Sequence, residues 1–167
     1  KKGVSIFSYS SILPPIKRIR SRVHFILQAL AWGMSAVSHL LMGRWSRALM
    51  YHEFLQLCHF VHLDPASRAK KIFFNNSGWF HRPLWTYRAE QAGSKIVCYF
   101  YSTNNFQFID NNGTRPTSMG WELMNWPNYL VWNKQQETFI KSFTKSECKI
   151  SVVGEIWFDD ARVLPKI

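Results

Sequence analysis

The chain has 167 residues, 47% of them hydrophobic, and a formal net charge of +11. That length can carry one domain with a real core. Its three cysteines, Cys58, Cys98 and Cys148, are too far apart in sequence for a disulfide framework or a zinc ribbon, so a reducing compartment is the simplest reading. No Gly-x-Gly-x-x-Gly turn, phosphate loop with its lysine or Gly-x-Ser-x-Gly elbow occurs, which removes the main support for dinucleotide, ATP-hydrolysing and serine-hydrolase chemistry.

In chain order, residues 4–8 form a short strand candidate that ends by Pro14-Pro15. Residues 16–63 read as mainly helical. Within them, residues 23–43 hold no Lys, Arg, Asp or Glu, and Arg22 and Arg44 flank the run. That length fits a membrane span. The pattern argues against one: Ile26, Leu30, Met34, Val37 and Leu41 fall on one helical face, and His24, Gln28, Ser35 and His39 fall on the other. Such segregation favours a helix packed on the domain, then a membrane-surface helix, and only then a span. Charge is concentrated here. Residues 1–71 carry eleven Lys/Arg against two acids, Glu53 and Asp64, whereas residues 72–167 carry ten against eight. Lys17, Arg18, Arg20 and Arg22 oppose the dipole at a helix start, which makes an external anion attractive as their partner.

Asp64-Pro65 marks a join. Beyond it, strand-like runs alternate with helical ones: strands at 72–76, 95–101, 129–132 and 150–153, and helices at 80–92, stopped by Gly93, and at 134–143. Residues 104–120 form a polar loop without periodicity. Strands that alternate with helices imply parallel neighbours. The fold class is therefore α/β: a Rossmann-like parallel sheet flanked by helices, over 71–167, preceded by a mainly helical basic segment, 1–70, packed on it. The chain does not begin with Met and reads as a piece of a longer protein.

In a parallel sheet the ligand crevice lies outside the carboxyl ends of the strands. The turns expected there supply the site candidates. Asn76, Ser77, Ser102, Thr103, Asn104, Trp132 and Asn133 suit sugar hydroxyls, although the same residue types serve turns and caps. His81, placed to act as a base on an acceptor hydroxyl, and Arg82, placed to bind phosphate, stand at the start of the helix after the first strong strand; their alternative is a polar first turn ahead of Pro83. Glu155 after the last strand is a second candidate base, with a surface acid as its alternative. His52, His59 and His62 lack acid or cysteine partners at ligand spacing, Cys58 apart, so no metal is expected. Most of the tryptophans that crowd the back half are expected in the core.

Four segments go beyond general α/β: Asn75–Tyr87 (NNSGWFHRPLWTY), Glu90–Asn104 (EQAGSKIVCYFYSTN), Gly120–Trp132 (GWELMNWPNYLVW) and Val152–Phe158 (VVGEIWF). This set resembles the polysaccharide-biosynthesis family named for its Pro-Phe-Thr-Ser motif, and also the amino-terminal half of GT-B glycosyltransferases. The resemblance covers roughly residues 10–160. It departs in two respects: the naming motif is absent, with Arg115-Pro116-Thr117-Ser118 only a partial echo, and a second Rossmann-like domain is not in this sequence.

The resemblance implies an acceptor-side domain of a glycosyltransferase in surface-polysaccharide assembly, inactive alone; the expected location is cytoplasmic, with the inner face of the membrane as the alternative that the basic front segment offers. It implies a glycan or lipid-linked acceptor, a nucleotide-sugar donor held mainly by the other domain, and no cofactor. The alternatives are a non-catalytic membrane-surface module and a nucleic-acid binder. The second is weakened because the charge lies in front, the aromatics lie behind, and no nucleic-acid motif is present.

Overall fold

The computed structural model describes residues 13–75, 81–100, 123–144 and 147–154. The expected strand at 4–8 and the loop at 104–120 lie outside the described residues. The chain divides into two units, residues 1–70 with 83–94 and residues 71–82 with 95–167.

The first unit is helical. It comprises α1 (Ile19–Leu41), α2 (Trp45–Leu49), α3 (Tyr51–His62), a 3-10 turn at Pro65–Ser67 and α4 (Leu84–Gln91). The stops of α1 and α4 are written in glycine. At the end of α1, Gly43 takes φ +72°, its N–H reaches Leu40 O at 3.0 Å and Arg44 N reaches His39 O at 2.8 Å. After α4, Gly93 takes φ +92°, with Gly93 N on Glu90 O at 2.9 Å and Ser94 N on Ala89 O at 2.9 Å. Both are Schellman closures, in which the amides of a left-handed residue and of the residue after it cap the last carbonyls. No neighbour lies within 4 Å of a Cβ built at either glycine, so backbone conformation and not space requires them.

α1 packs on α3 through its polar side. Gln28 Oε1 accepts from Cys58 Sγ at 3.0 Å and lies 3.0 Å from His62 Nε2. Tyr51 Oη donates to Ala29 O at 2.9 Å, and the Trp32 and Phe54 rings meet edge-on at 5.4 Å. The sequence assigns the Ile26/Leu30/Val37/Leu41 face to protein or to lipid; in the structure that face is exposed and α1 has no buried residue. The physical reason is that the polar side chains of α1 find specific partners on α3, which fixes the rotation of the helix.

α3 in turn holds α4. Glu53 Oε2 accepts from Leu84 N at 2.9 Å, placing a carboxylate at the positive end of α4. Phe60 and Trp85, both buried, lie 5.8 Å apart, and the Arg68 guanidinium stacks over Phe60 at 5.1 Å. The segment before α1 is tied down by His59 Nε2 on Pro14 O at 2.8 Å, with Leu13 and Ile16 buried beside it.

The second unit is built on a four-stranded sheet of β1 (Lys71–Asn75), β2 (Lys95–Phe100), β3 (Asn128–Val131) and β4 (Lys149–Val152), in that spatial order and parallel throughout. The strands fall within one residue of the expected ranges. α5 (Lys134–Phe143) connects β3 to β4. Phe74, Cys98, Tyr129 and Ile150 are in register across the sheet and share one face. This is the buried face, carrying Ile96, Phe100 and Val131 as well, and α5 covers it through Phe139, whose ring lies 6.1 Å from Phe100, and through buried Ile140. The opposite face is more open: Lys71, Phe73, Asn75 and Lys95 are exposed there.

Tyr129 is the polar anchor of the buried face. Its hydroxyl donates to Met124 O at 3.0 Å and accepts from Trp126 N at 3.2 Å. Burial drives the phenol above its ordinary pKa, offset only in part by the Trp126 amide and the Arg82 charge. Burial likewise pushes the Cys98 thiol up to about 12, so it behaves as a small apolar core residue. Tyr129→Phe leaves a buried carbonyl and a buried amide without that hydroxyl and is expected to cost about 1–3 kcal/mol in urea unfolding.

In the first unit, burial and the His24 charge hold the His62 imidazole below its ordinary pKa. The folded state thus disfavours the protonated form, while the unfolded chain takes up its proton near the ordinary value. The stability contribution is complete above that value and is lost as pH falls from it through the lowered folded one. The thermal midpoint is expected to drop between about pH 7 and pH 5, and His62→Asn to reduce that drop.

Candidate functional site

A parallel ladder releases all four strands at the same edge. Here that edge lies past Asn75, Phe100, Val131 and Val152. The strand order runs in one direction with no reversal among the described strands, so they contain no topological switch point, and the common carboxyl edge is what remains to define a crevice.

Of the expected site residues, Asn76, Ser77, Ser102, Thr103, Asn104 and Glu155 lie outside the described residues. Trp132 and Asn133 stand where expected, in the turn from β3 into α5. Asn133 is the N-cap of α5: its side chain accepts from Gln136 N at 2.9 Å. Gln136, fully buried, reaches back so that Oε1 accepts from Trp132 N at 2.8 Å. This is a reciprocal cap displaced by one residue from the usual box. Trp132 Nε1 donates to the Tyr99 hydroxyl, which ties the turn after β3 to β2. Asn75, Tyr99 and Leu130 are in register on the open face, so the last row of that face presents an exposed amide beside the Tyr99–Trp132 pair.

Tyr99 and Gln136 are absent from the sequence-based candidates. The signal for Tyr99 was in the period-two alternation of 95–100, which puts Ile96, Cys98 and Phe100 on one face and Val97 and Tyr99 on the other. Gln136 sits three residues after Asn133, the spacing of a capping pair.

His81 is exposed and Arg82 partly so, two residues and one residue before Pro83 at the entry to α4. Arg82 lies within electrostatic reach of Tyr129. Among the described residues no hydrogen bond or ring contact ties His81 or Arg82 to Trp132 or Asn133. The described residues also hold no group of three His, Cys, Asp or Glu side chains arranged for a metal. The imidazoles of α3 turn to separate partners: His52 to Gln56 at 2.7 Å, His59 to Pro14 O and His62 to Gln28.

Parallel strands joined through helices place the chain in the Rossmann-like α/β class. The family model described as polysaccharide biosynthesis PFTS motif protein matches residues 25–167, and the chain belongs to that family. No curated protein and no solved structure matches it.

Asn133→Ala is expected to cost about 1 kcal/mol through loss of the cap, and Gln136→Ala about 1–3 kcal/mol through the amide it strands. Because both act on one turn, the double variant should cost less than the two together; denaturant unfolding of the four chains measures the coupling.

Proposed function

We propose that this chain is the acceptor-side domain of a glycosyltransferase in surface-polysaccharide biosynthesis, transferring a sugar from a nucleotide-activated donor to a glycan or lipid-linked acceptor. The observation that carries the reading is the parallel sheet of a polysaccharide-biosynthesis family member, with an aromatic pair and exposed amides at its carboxyl edge. Aromatic rings stack on the apolar face of a sugar, and neutral amides and hydroxyls bond its rim. Trp132, Tyr99, Asn75 and Asn133 offer such groups, and Asn76, Ser77, Ser102, Thr103 and Asn104 would extend them.

On this reading His81 takes the proton from the acceptor hydroxyl as its oxygen bonds to the donor's anomeric carbon, while the bond from that carbon to the phosphate oxygen breaks and the nucleotide leaves with the electron pair; Glu155 is the second candidate base. Arg82 holds the phosphate of an activated or lipid-linked acceptor. The nucleotide is held mainly by a second Rossmann-like domain outside this sequence, and no cofactor is required.

The test uses a protein carrying both domains and follows transfer of labelled sugar from the nucleotide donor. His81→Ala is expected to lower kcat by about 10²–10⁴-fold, far more than it raises KM. Trp132→Ala and Arg82→Ala should instead raise KM for the acceptor. Unchanged turnover in the His81→Ala protein removes the catalytic assignment, and absence of transfer in the unaltered two-domain protein removes the activity.

A further inference from the structure

We propose that α1 lies flat on a bilayer containing anionic phospholipid, with its apolar stripe inserted among the acyl chains and its polar side held by α3. This inference is independent of the transfer reaction.

Val23, Ile26, Leu30, Met34, Val37 and Leu41 recur every three or four residues and so form one line along the helix. Their exposure runs from 48% at Val23 to 83% at Leu41. The line spans most of a helix of 23 residues, on the order of 33 Å at the usual rise. An apolar stripe of that extent exposed on a protein surface marks an interaction site.

The stripe cannot turn inward. The Gln28 bonds to Cys58 and His62 and the Tyr51 bond to Ala29 O fix the rotation of α1 from its other side. A Cβ added at Gly33 would lie 3.2 Å from the Tyr51 hydroxyl, so the two helices are already close there.

Charge identifies the occupant. α1 contains no acid; Lys17, Arg18, Arg20 and Arg22 lie exposed at its start, and Arg44 and Arg47 just past its end. The two acids of residues 1–71 are both engaged within the unit: Asp64 pairs with Arg18 at 2.9 Å, and Glu53 accepts from Leu84 N. Among the described residues no carboxylate pairs with Lys17, Arg20 or Arg22. Cations at a helix start oppose its dipole, and phosphate headgroups would offset that cost. A second copy of the chain fits poorly. Because both ends of the stripe are cationic, pairing two stripes in parallel or antiparallel brings like charges together.

A spanning arrangement fits poorly as well. α3 is bonded along α1 and carries His52, Glu53, Gln56 and His59, which a transmembrane α1 would draw toward hydrocarbon. An in-plane helix leaves those groups on the aqueous side.

Vesicle flotation of the 167-residue chain tests the proposal, with phosphatidylcholine alone against phosphatidylcholine mixed with phosphatidylglycerol. The chain is expected to float with the mixed vesicles, and less so as salt is raised. Lys17→Gln with Arg20→Gln should weaken that binding about 10-fold or more. Leu30→Glu with Val37→Glu should abolish it with the helical circular dichroism intact, since both positions are exposed in the folded chain. Equal binding to neutral vesicles, no binding to anionic ones, or unchanged flotation of the Glu variant overturns the proposal. Resistance to alkaline carbonate extraction overturns it in favour of a span, and a concentration-dependent dimer that excludes vesicle binding overturns it in favour of a second copy.

Discussion

Parallel pairing is the constraint on which the sheet unit depends. Two adjacent strands can run the same way only if the chain returns through a crossover. Each return then starts again at the amino edge, so the turns at the opposite edge collect residues that are remote in sequence. Trp132 and Tyr99 meet for that reason, 33 positions apart. The same register sets the core. Phe74, Cys98, Tyr129 and Ile150 form one row because corresponding residues of parallel strands point to the same face. A one-residue slip of β2 would bring Tyr99 into that row and expel Cys98. Burial of Cys98 and the bonds of the Tyr129 hydroxyl therefore both hold the register.

In the helical unit the scarce resource is negative charge. Residues 1–71 hold two acids, and each fixes a long-range contact. Glu53 serves the amino end of α4 across 31 residues, and Asp64 draws Arg18 back to the end of α3. The exposed Arg18–Asp64 pair adds little stability alone. Glu53 is worth more because it accepts from a backbone amide that the helix cannot satisfy internally. Among the described residues neither of these two carboxylates pairs with Lys17, Arg20 or Arg22, and α1 itself carries no acid.

Much of this architecture was legible in the sequence for local reasons. The apolar runs at 72–76 and 95–101 are bounded by polar turn formers, and Gly93 stops a helix because a left-handed residue is needed there. Which side of α1 meets the protein was not legible. Periodicity separates the two faces, but an apolar stripe that meets lipid has the same spacing as one that meets a core. The decision came from Gln28 finding Cys58 and His62, contacts 30 and 34 residues away. The strand-end candidates divide in the same way. Asn133 was correctly placed at a turn, yet its cap to Gln136 N is local, while the Tyr99 partner of Trp132 depends on β2–β3 pairing that composition does not encode.

Trp132 and Asn133, the described residues that follow β3 at the carboxyl edge, have a definite chemistry left to offer. The indole N–H of Trp132 is committed to Tyr99, and the side-chain oxygen of Asn133 to Gln136 N. What they retain is the Trp132 ring surface and the amide donor of Asn133. A ring surface with a neutral donor suits a sugar, which offers an apolar C–H face and hydroxyl oxygens. It suits phosphate poorly, because a desolvated phosphate requires cations or a row of backbone amides. In the transfer reading, Trp132 should contribute to acceptor binding whether or not the acceptor is phosphorylated, and Arg82 only when it is.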